Sequence, residues 1–83
     1  MLQNNLGNAY VRLAAVRDRE GNLERAIAAY REALRFRTPE TAPLEYAMIQ
    51  NNLGNAYGRL AAVRDREGNL ERAIAAYREA LTV

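Results

Sequence analysis

The stretch Gln3-Asn4-Asn5-Leu6-Gly7-Asn8-Ala9-Tyr10 occurs a second time, unchanged, as Gln50-Asn51-Asn52-Leu53-Gly54-Asn55-Ala56-Tyr57. The identity runs on beyond it. Residues 1–36 align with 48–83 without a gap, and only Leu2/Ile49, Val11/Gly58, Arg35/Thr82 and Phe36/Val83 differ. An offset of 47 residues lies in the range of solenoids and arrays, whose units bury their apolar faces by stacking. Such likeness follows from recent duplication or from consensus design. The segment Thr38–Ala47 occurs once, between the copies. The chain therefore divides into a first repeat at 1–37, a connector with the start of the next helix at 38–47, and a second repeat at 48–83.

Each copy carries two helical patterns. Leu2, Leu6, Ala9, Tyr10 and Leu13 recur at helical spacing, and so do Leu23, Ala26, Ile27, Tyr30, Ala33 and Leu34. Gly21 suits the position just past a helix end, and Asn22 can cap the helix that follows. Pro39 and Pro43 stop a continuing helix, and Pro43 also suits the first turn of a new one. These signals predict four helices, near 2–17, 23–37, 43–64 and 70–82, in an all-α fold. No segment alternates with the period of a strand.

The pattern Leu6-Gly7-x-x-Tyr10, then Gly21, then Ala26-x-x-x-Tyr30-x-x-Ala33 resembles the tetratricopeptide repeat. It returns as Leu53, Gly54, Tyr57, Gly68, Ala73, Tyr77 and Ala80. The resemblance covers essentially the whole chain. It implies antiparallel helix-turn-helix repeats stacked as an α-solenoid, here four helices in two repeats. Each motif residue also has a physical reading. Gly7 and Gly54 let another helix approach closely, Ala26, Ala33, Ala73 and Ala80 are small counterparts on the second helix, and Tyr10, Tyr30, Tyr57 and Tyr77 fill volume beside them.

Two features depart from the family. Gln3 and Gln50 stand where it has a bulky aromatic residue, and its unit is about 34 residues, not 47. The excess divides between Ala14–Glu20 and the connector Arg37–Tyr46; the latter resembles the long connectors of kinesin-light-chain-like repeats. Ala14–Glu20 either lengthens the first helix by two turns or forms an ordered loop.

Asn5, Asn8 and Arg12 share one helix face, more than a quarter-turn from the leucine stripe, and Asn52, Asn55 and Arg59 repeat the arrangement. In the resembling family the first helices line a concave groove, where asparagines hold the backbone of an extended peptide and basic residues hold a carboxylate. A carboxamide both donates and accepts, and an arginine fork matches a carboxylate. The simpler alternative is a solvated helix face. These six residues are the candidate peptide-binding site.

Composition narrows the function further. There is no His, Cys, Ser, Lys or Trp, so the usual general bases, nucleophiles and nitrogen or sulfur metal ligands are missing. The expectation is a non-enzyme without metal or cofactor. Twelve Arg face ten acids for a net charge of +2, and the signs alternate, as in Arg17-Asp18-Arg19-Glu20, which does not read as a nucleic-acid track. No apolar run approaches the ~20 residues of a membrane span, and Met1–Asn8 lacks the charged and apolar regions of a signal peptide. A soluble cytoplasmic protein is expected.

The expected function is a protein-interaction module that takes a peptide or partner protein in its groove. The alternative is a structural or designed repeat whose main partner is itself. Two repeats fall short of the three or more that usually bury a continuous core. Leu70, Ile74 and Leu81 then lie where no following repeat covers them. A homodimer or larger assembly is expected, by head-to-tail stacking or by exchange of hairpins if Ala14–Asn22 straightens.

Overall fold

The computed structural model describes residues 2–82. Four helices follow one another, α1 (Leu2–Ala14), α2 (Arg19–Leu34), α3 (Pro43–Ala61) and α4 (Arg66–Ala80), with no strand among the described residues. α1 pairs with α2 and α3 with α4 as two hairpins. α2 packs on α3 and joins them, while α1 meets α3 only at an edge. The architecture is the all-α helical repeat that the pattern implied.

The turn within each hairpin is shorter than either sequence reading of Ala14–Glu20. α1 stops at Ala14 and α2 already runs at Arg19, so no two-turn extension forms and the ordered loop is confined to residues 15–18. The change of direction is made at Asp18, which adopts a left-handed backbone (φ 42°, ψ 59°) and caps α2 by accepting from the Gly21 amide at 3.3 Å. Asp65 does the same for α4. Asp tolerates this conformation better than most residues because its short side chain bonds locally.

Gly21 is therefore inside the first turn of α2 and ends no helix. A β-carbon there would lie 2.5 Å from the Asp18 carboxylate, so the missing side chain makes room for the cap. Asn22 is not the cap either. It is buried one residue further on, and its Nδ2 donates to the Arg17 carbonyl at 2.9 Å, satisfying a backbone group released at the turn. The 47-residue period thus comes from long helices, 19 residues in α3 and 15 in α4, as well as from the connector.

Between the hairpins, Thr38 and Thr41 bond to each other's backbone amides and Pro43 opens α3 at its first turn, as expected from its fixed φ and missing donor. The core centres on Leu23, Ala26 and Tyr30 of α2 and Ile49, Ala56 and Leu60 of α3.

The leucine stripe of α1 does not face α2. The hairpin contact of α1 is its small face, with Gly7 and Ala14 buried, whereas Leu2 and Leu6 are open. The same stripe in α3, Ile49, Leu53, Tyr57 and Leu60, is buried because the preceding hairpin lies against it. The stripe serves contact between hairpins, and α1 has no hairpin before it in the described structure.

Candidate functional site

The six candidate residues lie on α1 and α3, the first helix of each hairpin. Asn5, Arg12, Asn55 and Arg59 are exposed, and Asn8 and Asn52 are half-buried. Asn8 accepts from the Tyr30 hydroxyl at 2.6 Å, and Asn55 accepts from the Tyr77 hydroxyl in the same way. The tyrosine that packs on the helix glycine thus also anchors the asparagine one residue beyond it. In each bond the carboxamide oxygen is engaged, and the Nδ2 donors make no hydrogen bond among the described residues.

Asn52 is held differently. Its Nδ2 donates to Oδ1 of Asn4 at 3.1 Å, across the α1–α3 edge. Asn4 is buried there. The spacing argument missed Asn4 because it lies off the Asn5–Asn8–Arg12 face; only the crossing of two helices reveals it. Its twin, Asn51, is exposed, with no third helix of this kind against it among the described residues.

Neither Arg12 nor Arg59 has a carboxylate within ion-pair reach among the described residues. Arg59 lines a cleft with Val11, Ala14, Ala15 and Arg19 at the end of α1. Its charge also acts on Tyr30, whose pKa is raised by burial and partly drawn back by Arg59. Arg59 and the Tyr30–Asn8 pair therefore belong to one neighbourhood, while no contact of Arg12 links it to the others. Next to Arg59, a side chain added at Gly58 would meet nothing within 4 Å, so this part of α3 borders open space.

The contacts that join the hairpins were also absent from the sequence reading. Arg31 donates to the Tyr57 hydroxyl and stands 5.7 Å from the centre of that ring. Arg64 pairs with Glu20 at 3.0 Å and with Glu24. Within the second hairpin, the Tyr46 hydroxyl donates to Glu79 at 2.5 Å and accepts from Gln50 at 3.2 Å. The bond to Glu79 is the main cause, with burial, of a raised Tyr46 pKa. No buried side-chain donor or acceptor among the described residues is left without a partner.

No three carboxylates come together as a metal cage among the described residues, and no described helix is long and apolar enough to cross a membrane. A family model described as Tetratricopeptide repeat matches residues 3–38 and 54–83. No curated protein and no solved structure matches the chain.

Proposed function

We propose, for a chain that belongs to the tetratricopeptide repeat family, whose repeats mediate protein–protein interaction, that it holds an extended peptide segment of a partner protein on the exposed face of α1 and α3. Asn5, Asn8, Asn52 and Asn55 read the peptide backbone, and Arg12 and Arg59 take a carboxylate. The observation that carries this reading is the repeated tyrosine–asparagine bond. Tyr30 and Tyr77 fix the carboxamides of Asn8 and Asn55 and leave their Nδ2 donors for a ligand carbonyl. Donors held in advance lose less freedom on binding. Arg12 and Arg59, which form no ion pair among the described residues, supply charge on the same two helices, and the family is a non-enzymatic interaction module.

The test is a screen of a random-sequence peptide library with free C-terminal carboxylates, followed by titration of the best peptide. Asn52→Ala with Asn55→Ala is expected to weaken binding at least tenfold, as loss of about 1 kcal/mol per hydrogen bond implies. Unchanged affinity, or no peptide retained, overturns the groove.

A second reading, in which the principal partner is another copy of this chain, is favoured by a different observation. Ile27 is 7% exposed, but its twin Ile74 is 51% exposed; Leu53 is 7% exposed, but its twin Leu6 is 44% exposed. Nearly identical halves bury opposite faces.

A further inference from the structure

We infer that copies of this chain stack head to tail as an open series, the outer face of α4 in one copy taking α1 of the next in the register that already joins α2 to α3. The inference rests on the self-association reading and adds to it a register, a polarity and the residues that set both.

The internal junction serves as the template. There α2 presents Leu23 and Ile27 to the stripe Ile49, Leu53, Tyr57 and Leu60 of α3, and three polar contacts fix the register. Arg64 pairs with Glu20 and Glu24, Arg31 lies on Tyr57, and Asn52 donates to Asn4. Apart from Ile49, whose counterpart is Leu2, each of these residues has an identical twin 47 positions away, toward the outer side of the described structure. α4 presents Leu70, Ile74, Glu67, Glu71 and Arg78; α1 presents Leu6, Tyr10, Leu13, Asn5 and, just past its end, Arg17.

Glu67, Glu71 and Arg17 form no ion pair among the described residues, whereas their twins Glu20, Glu24 and Arg64 pair with one another. Placed as Arg64 is placed, Arg17 of a second copy meets Glu67 and Glu71. Arg78 meets the second copy's Tyr10, and the exposed Asn51 accepts from its Asn5. The two surfaces are different patches, so the contact is heterologous and does not close upon itself at two copies.

Exchange of hairpins fits the turn less well. Straightening residues 14–22 breaks the Asp18 cap and the Asn22–Arg17 bond in each copy, while stacking keeps both.

Sedimentation equilibrium from micromolar to millimolar concentration tests the reading and the register separately. The wild-type chain is expected to pass from monomer through dimer to larger species. Ile74→Glu blocks only the α4 face and Leu6→Glu only the α1 face; both positions are exposed, so each variant keeps its fold, which circular dichroism checks. Each variant alone is expected to stay monomeric, and an equimolar mixture is expected to form a dimer and stop there. Arg17→Glu is expected to weaken wild-type association severalfold, with recovery when Glu67→Arg and Glu71→Arg are added to the same chain. A wild type that remains monomeric throughout overturns self-association itself. A wild type that stops at a dimer, or either blocked variant dimerising alone, overturns the open head-to-tail register and leaves self-association standing.

Discussion

The ring of Tyr30 occupies the space that a β-carbon on Gly7 would need. A β-carbon on Gly54 would likewise fall 2.6 Å from Cε1 of Tyr77. The two sites differ in what surrounds the ring. Tyr30 is among the most buried side chains of the core, while Tyr77, bonded to Asn55, is half-exposed and has solvent on one side of its ring.

Gly→Ala substitution therefore separates close packing from helix propensity. Alanine favours a helix over glycine by about 1 kcal/mol, and overpacking costs about 1–3 kcal/mol. Gly58→Ala, with open space around it, is expected to stabilise by about 0.5–1 kcal/mol. Gly54→Ala should be near neutral, because Tyr77 can yield. Gly7→Ala should destabilise by about 1–2 kcal/mol, because Tyr30 cannot. Urea unfolding midpoints of the three variants give the order directly, and equal stability of Gly7→Ala and Gly58→Ala would contradict the close approach.

The turn at Asp18 combines a left-handed backbone with a helix cap, and two substitutions take these apart. Asp18→Ala loses the cap and keeps an unfavourable φ, at a cost of about 1–3 kcal/mol. Asp18→Gly loses the same cap and the Arg25 ion pair but relaxes the backbone, so its melting temperature should lie above that of Asp18→Ala. The same order is expected at Asp65. An alanine variant more stable than the glycine variant would mean that the left-handed turn is not kept in solution.

Tyr46 gives the fold an alkaline limit. The free phenol titrates near 10.0, and the bond to Glu79 together with burial raises that value in the folded chain. Above pH 10 the unfolded chain gives up this proton while the folded chain still holds it. The contribution of Tyr46 is therefore complete below about pH 10 and is lost as pH rises through the raised value. Tyr46→Phe should cost about 1 kcal/mol at neutral pH and should lose less stability than the wild type between pH 10 and 12. A slope remains in the variant because burial raises Tyr30 as well. Chemical denaturation across this range checks both parts; parallel curves for the two proteins would refute the role of Tyr46.

The period of the apolar residues and the doubled phrase made the four helices and their pairing legible, because both record repetition along the chain. Which neighbour each face meets was not legible. The leucine stripe of α1 names no partner by its spacing; its twin in α3 is buried at the junction between hairpins. Gly21 looked like a helix end because glycine favours such ends, but here its missing side chain admits a carboxylate from three residues earlier. The candidate asparagines could be grouped on a face from spacing alone. The tyrosine partners of Asn8 and Asn55, 22 residues away, depend on how two helices cross, which the spacing does not encode.

The sequence of contacts α1 to α2 to α3 to α4 also bears on how the backbone opens to water. α2 and α3 are each gripped on two sides, whereas α1 and α4 are each gripped mainly on one. Amide protons of the middle helices can exchange only when an outer helix has left or the whole chain has unfolded. The outer helices are unequal among the described residues, since α4 is tied through Glu79 to Tyr46 near the start of α3, whereas Glu32, the twin of Glu79, bonds to Arg35 and not to α1. Opening thus has a direction, peeling first from α1, and the molecule loosens at one end while its centre stays closed.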